Sequence, residues 1–162
     1  GEDPDNITLK ILSIIFNLIP NLKIIIILGH SHPNKKSVIK FCINKSIDAK
    51  IIDSPEDISI YLNKLRFVIS AGGLSAYEFA SAGIPQLITI LDKHQTKMAN
   101  MIKENKCGKI LTRSEEIFKN KISNKFINFY NNQTELLRIS KSAKKLIKNC
   151  GCELIAYDIN KK

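Results

Sequence analysis

The chain has 162 residues, 44% of them hydrophobic and 25% charged, and its 25 Lys or Arg against 15 Asp or Glu give a formal net charge of +10. That length supports one well-buried core and is short for two full domains, and no apolar run reaches the roughly 20 residues needed to cross a bilayer. No N-terminal basic segment leads into an apolar stretch with a cleavage site, so the chain reads as a single cytoplasmic domain.

A helix is predicted over Asp5–Ile19, with Leu9, Leu12, Ile15, Phe16 and Ile19 on one face, opened by Asp3-Pro4-Asp5-Asn6 and closed by Pro20. Lys23–Leu28 is a β-branched strand ending at Gly29. The loop His30-Ser31-His32-Pro33-Asn34 leads into a helix that runs to about Asn44. Ala49–Asp53 is a second strand, Pro55–Leu65 a helix and Arg66–Ser70 a third strand, nearly continuous in apolar content as a parallel strand covered on both faces should be. Ala71-Gly72-Gly73 turns the chain into a helix over Leu74–Ala82, which Gly83-Ile84-Pro85 ends. Gln86–Leu91 is the fourth strand and Asp92-Lys93-His94-Gln95 a polar loop. The next helix carries Met98, Met101 and Ile102 to a break at Cys107-Gly108. After a short strand at Lys109–Leu111, helices over Ser114–Lys121, Ser123–Tyr130 and Gln133–Cys150, with a short one after Gly151, make the C-terminus helical. This alternation predicts an α/β fold: a Rossmann-like, three-layer α/β/α arrangement on a mainly parallel, doubly wound sheet.

In such a sheet, ligands sit beyond the carboxyl ends of the strands. Ala71–Pro85 is the most informative stretch there, since Gly72 and Gly73 can take positive φ and let a ligand approach the backbone. The N–H groups that open the following helix suit an anion. Ser75 can add a hydroxyl donor, and Glu78, three residues on, is poorly suited to phosphate but well suited to accept hydrogen bonds from a ribose diol. The same spacing is that of a capping box, and on the motif alone the two readings stand level.

Basic and acidic residues balance over residues 1–60, and the positive excess lies in residues 91–162, interspersed with acids, Asn and apolar anchors. Without interleaved aromatics this is the pattern of a solvated face and not of a nucleic-acid groove, although it suits a neighbouring membrane surface. Cys42, Cys107, Cys150 and Cys152 form no CxxC pair and no ligand spacing with His30, His32 or His94, so no metal site and no cofactor are predicted. His30 and His94 read as solvent-exposed loop histidines ahead of catalytic ones, and Tyr77 and Phe79 as helix packing ahead of base stacking.

Together, Asp3-Pro4-Asp5-Asn6 after Gly1, Leu28-Gly29-His30-Ser31-His32-Pro33, Ala71-Gly72-Gly73-Leu74-Ser75, Tyr77-Glu78, Gly83-Ile84-Pro85 and His94-Gln95 resemble, in order and spacing, a family pattern. It is that of the C-terminal nucleotide-binding half of GT-B-type UDP-sugar enzymes, similar to glycosyltransferase family 28. This group holds the lipid II-forming N-acetylglucosaminyltransferase and the UDP-sugar hydrolase of pseudaminic acid biosynthesis (UDP-2,4-diacetamido-2,4,6-trideoxy-beta-L-altropyranose hydrolase); the pattern of the hydrolase is the nearer. The resemblance covers nearly the whole chain. It implies that backbone groups at Ile52 and Asp53 read the uracil edge, that Gly73, Leu74 and Ser75 hold the diphosphate with Gly72 in the same nucleotide-binding loop, that Glu78 holds the ribose hydroxyls, and that Gln95 lies near the sugar or the scissile bond. It also implies an N-terminal half, missing here, that supplies the general base, and a central strand before Gly1. The chain therefore reads as an excised half-enzyme or a degenerate relative, with an exposed sheet edge that favours self-association. Three functions stay open: half of a UDP-sugar hydrolase, half of a glycosyltransferase, or a non-catalytic nucleotide-sugar binding module.

Overall fold

Four consecutive isoleucines and a leucine cannot be solvated cheaply, and they form the first strand, β1 (Ile24–Leu28). The computed structural model describes residues 3, 5–117 and 119–146. The expectations placed on Gly1, on Cys150 and Cys152, and on the helix after Gly151 lie outside the described residues. The chain divides into two compact units, Gly1–Asn63 with Leu111–Asn131, and Lys64–Ile110 with Asn132–Lys162.

In the first unit β1 pairs in parallel with β2 (Ala49–Asp53), in a register running from Ile24 opposite Ala49 to Leu28 opposite Asp53. Helices α1 (Ile7–Leu18) and α2 (Lys35–Asn44) contribute to its core, where Leu12, Ile26, Leu28, Val38, Cys42 and Ile47 are buried together. Phe16 and Phe41 meet edge to face at that core's margin, their centroids 6.5 Å apart. A long helix, α6 (Lys119–Asn131), packs on α1.

Two expectations fail in this unit for identifiable reasons. The helix predicted over Pro55–Leu65 shrinks to one turn, α3 (Ser59–Leu62). Asp57 accepts the Ser59 N–H at 2.7 Å and the Ser59 hydroxyl at 2.6 Å, which gives the backbone a local turn in place of an early helix start. Conversely, the break predicted between Lys121 and Ser123 does not occur. Ile122, Phe126 and Phe129 are all buried at helical spacing, so one continuous stripe carries the helix through Ser123. Ser114–Glu116 is a short 3-10 turn.

The second unit contains β3 (Val68–Ala71), α4 (Ser75–Ser81), β4 (Gln86–Ile90), α5 (Thr96–Glu104) and α7 (Gln133–Leu146), with β5 (Gly108–Arg113) crossing the boundary between the units. β3 and β4 are parallel, from Val68 opposite Gln86 to Ala71 opposite Thr89, and the sheet order is β3-β4-β5. The strands thus form two sheets where the alternation of elements predicts one. Ala76, Ala80, Ile88, Ile90, Ala99, Ile102, Cys107 and Ala143 make the core, and small residues on α4 and α7 let these two helices approach closely. Fully buried Gln86 donates from Nε2 to the Ala76 carbonyl at 2.9 Å, tying β4 to α4.

Three helices end the same way. After α2, α4 and α5, the residues Ser46, Gly83 and Lys106 take positive φ (50°, 71° and 58°). The next N–H then reaches back five residues: Ile47 to Cys42 at 3.0 Å, Ile84 to Phe79 at 2.8 Å and Cys107 to Ile102 at 2.9 Å. This satisfies carbonyls the helix leaves open, and only at Gly83 is the conformation free of a Cβ penalty.

Candidate functional site

The strand-to-helix turn at Ala71–Ser75 is built from sterics that the sequence only partly reveals. Neither Gly72 nor Gly73 takes positive φ, contrary to the expected use of that freedom. Gly72 is required by close packing: a Cβ there would lie 3.1 Å from the Gln95 carbonyl oxygen and 3.3 Å from both Gln95 Cβ and Ile88 Cγ2. Gly73 differs in kind, because a Cβ at that position would meet nothing within 4 Å. The neighbouring protein does not need Gly73 to be small.

Beyond Gly73 the side chains are turned outward. Leu74 is 82% exposed, and Ser75 and Glu78 are exposed in the first turn of α4. Leu74, at the N-cap position, has helical φ and ψ, and no side-chain cap bond closes this helix start. The capping-box alternative is therefore not realised. Among the described residues, neither the Ser75 hydroxyl nor the Glu78 carboxylate has a partner, which leaves both available to a ligand. Backbone bonds from Ala76 N–H to Gly73 O (3.1 Å) and from Tyr77 N–H to Leu74 O (2.9 Å) tighten the turn. With seven residues, α4 is too short for a fully developed dipole, so any anion binding here depends on the local N–H groups and the Ser75 hydroxyl.

Gln95 ends a 3-10 turn, Lys93–Gln95, that follows β4. Its side-chain oxygen accepts the Leu91 N–H at 2.9 Å, and Asp92 accepts the His94 N–H at 2.8 Å, so the turn is braced at both ends. The Gln95 backbone and Cβ lie against Gly72, which brings these two predicted site residues together. What remains of Gln95 for chemistry is the amide Nε2, a donor. The side chain of His94 is 99% exposed, as expected of a loop histidine. Phe79 is buried as helix packing predicts, whereas Tyr77 is 39% exposed with its hydroxyl 3.5 Å from Met101 Sδ.

Ile52 and Asp53 belong to the first unit. Ile52 is buried opposite Ile27, and Asp53 ends β2 with an exposed side chain. The Asp53 carboxylate is not idle: Lys35 Nζ donates to Oδ1, and the Ser54 hydroxyl donates to the same oxygen at 2.6 Å. The Lys35 bond, followed by that of Ser54, holds the Asp53 carboxyl below the usual aspartate range.

Sequence reasoning missed a second cluster in this unit. Asp3, 3% exposed, accepts the N–H groups of Ile7 and Thr8, one on each carboxylate oxygen and both at 2.8 Å, so α1 is capped from four residues upstream. Asn6, the nominal cap, sits at φ 53° and makes no side-chain bond. The Asp3 carbonyl accepts from Asn34 Nδ2 at 2.8 Å, and buried His32 accepts the Asn34 N–H at Nδ1 (3.2 Å) with its Nε2 3.7 Å from Asp3. Only the opening Asp3-Pro4-Asp5-Asn6 signals this arrangement in the sequence.

The two glycine sites, the free Ser75 and Glu78, and the braced Gln95 turn can be set beside known proteins. The chain is 28% identical over 102 residues to the spore coat polysaccharide biosynthesis protein SpsG of Bacillus subtilis (strain 168), a match covering 61% of this chain and 30% of that protein. Its structure resembles the crystal structure of Acinetobacter baumannii MurG with a TM-score of 0.67 at 16% identity, covering 86% of this chain and 42% of the other. No protein-family model matches the chain. It spans less than half the length of either protein. The fold is thus the Rossmann-like α/β fold of a GT-B half, with mainly parallel strands and with helices α6 and α7 closing the described residues.

Proposed function

We propose that the chain is the nucleotide-sugar-binding, C-terminal half of a UDP-sugar hydrolase acting in surface-glycan biosynthesis of the pseudaminic acid type. The observation that carries the nucleotide-binding part of this reading is the Ala71–Glu78 segment, an unobstructed glycine followed by a hydroxyl and a carboxylate that no group among the described residues engages. Gly72 sets the turn, and the backbone of Gly73 and Leu74 with the Ser75 hydroxyl holds the diphosphate. Glu78 accepts hydrogen bonds from the ribose diol.

In the reaction, water attacks the sugar carbon that carries UDP, the bond to the diphosphate oxygen breaks, and UDP leaves with the added negative charge. Donors fixed around that charge stabilise it more in the transition state than in the substrate. Gln95 contributes through Nε2, since its oxygen is already committed to Leu91. The general base comes from an N-terminal half, the partner this reading requires, and the reaction takes place in the cytoplasm with no metal or organic cofactor.

A second reading, half of a sugar transferase, is favoured by the likeness to MurG. The two part on the fate of the sugar: a hydrolase frees it to water, whereas a transferase releases UDP only when an acceptor is added. Calorimetric titration of the chain with UDP, CMP and ADP tests the site shared by both. UDP should bind most tightly and Glu78→Ala should weaken it. Equal binding of the three nucleotides, or an unchanged UDP affinity in Glu78→Ala, would overturn the assignment.

A further inference from the structure

Helix α2 spends its apolar residues in two directions. Val38 and Cys42, 0% and 5% exposed, face the core. Ile39 and Ile43 do not: they are 38% and 70% exposed. Large β-branched side chains one helical turn apart on the outer face contribute little to this fold's core. They also lower helix propensity relative to the polar residues usual there.

Their neighbours indicate what could cover them. At 100° per residue, Lys36, Ile39, Lys40 and Ile43 are linked by steps of three and four and form one closed diamond on the outer face. Both lysines are exposed, and the helix KKSVIKFCIN contains no acidic residue. Lys35, on the flank, is already bound to Asp53 and lies outside the diamond. A protein surface that covered two isoleucines would also bury two ammonium groups and would have to supply carboxylates in matching positions. A nucleic acid would satisfy the lysines and leave the isoleucines unused, since no aromatic side chain stands on this face to stack a base. An anionic bilayer satisfies both demands together: alkyl side chains enter the acyl boundary while lysine stems extend their charges to the headgroups.

We propose that the Lys36, Ile39, Lys40 and Ile43 face of α2 docks this chain on the surface of an anionic membrane. The contact is peripheral, since no described helix is long and apolar enough to span a bilayer. It stands apart from the nucleotide reading and does not depend on it.

Vesicle co-sedimentation tests the proposal on the chain as it is, with phosphatidylcholine vesicles compared with vesicles containing about a third phosphatidylglycerol. The overall charge of +10 would by itself attract the chain to anionic vesicles, so the informative variant leaves charge untouched. Ile39→Ser with Ile43→Ser should lower partition onto the anionic vesicles by about ten-fold or more. Lys36→Glu with Lys40→Glu should lower it further still, because each lysine lost near the surface is worth about five-fold. Lys97→Glu with Lys103→Glu, on α5, alters net charge equally and should cost much less. The proposal is overturned if the serine pair partitions like the parent chain, if the α5 pair loses as much as the α2 pair, or if the parent chain does not bind anionic vesicles. A serine pair that changes the oligomeric state in light scattering, with vesicle binding unaltered, would also overturn it in favour of a protein partner. All six positions are exposed, and an unchanged melting temperature verifies that each variant is folded.

Discussion

Replacing Gly72 and Gly73 one at a time by alanine separates what the fold needs from what a ligand needs. In Gly72→Ala the new methyl group would lie 3.1 Å from the Gln95 carbonyl oxygen and 3.3 Å from Gln95 Cβ and Ile88 Cγ2. The first two atoms belong to a turn braced by the Leu91 and Asp92 bonds, and the third to a fully buried strand residue, so they yield poorly. Overpacking of this kind costs about 1–3 kcal/mol. For a chain of this length each kcal/mol lowers the melting temperature by roughly 2–4 °C, so Gly72→Ala should melt about 2–12 °C below the parent. Gly73→Ala meets nothing within 4 Å and has no positive φ to sacrifice. Its melting temperature should stay level or rise by about 1–3 °C, because alanine restricts the unfolded chain. If UDP phosphates approach the backbone at Gly73, the same methyl should weaken UDP binding by about ten-fold, or about 1.4 kcal/mol. Circular dichroism melts and calorimetric titration measure the two quantities. A Gly73→Ala variant that binds UDP like the parent refutes the ligand's position, and one that melts as low as Gly72→Ala refutes the steric argument.

Four further outcomes follow from the same geometry. Lys106→Gly and Ser46→Gly remove a Cβ from a left-handed position and should each raise stability by about 0.5–1 kcal/mol in urea titrations, whereas Gly83→Ala, at φ 71° and with Lys144 Cε 2.5 Å from the new Cβ, should lower it by at least 1 kcal/mol. Asp3→Ala should cost about 1–2 kcal/mol, because the Ile7 and Thr8 N–H groups lose their acceptor. The Asp53 carboxyl should titrate below the usual aspartate value by NMR and move up in Lys35→Met. Because its folded pKa is depressed, whatever stability it adds is present above the unfolded aspartate pKa and is lost as pH falls through the lowered value. Burial pushes the Cys42 and Cys107 thiols up, so mass-spectrometric mapping should find both unalkylated by iodoacetamide at neutral pH until the chain is unfolded.

Much of the architecture is legible in local pattern. Ala49–Asp53 is a strand with the bounds its composition predicts, and the isoleucine run before Gly29 has no alternative to a buried strand. Errors concentrate where a single side chain competes with the backbone, as Asp57 does at Ser59, or where a buried stripe overrides a serine that looks like a cap, as at Ser123. The position of the glycine turn follows from composition, but the need for glycine at Gly72 comes from the approach of Gln95, 23 residues along the chain. Pairings such as Lys35 with Asp53 and Asp3 with His32 depend on which loops the fold brings together, and no periodicity encodes them.

The cluster at Asp3 has a mechanical consequence. One carboxylate and one carbonyl of the same residue grip the first turn of α1 and the loop that follows β1, and the His32 ring seals the junction from water. Asp3 is therefore a shared anchor: removing it takes an acceptor from the first turn of α1 and from the loop that ends at Asn34 at the same time.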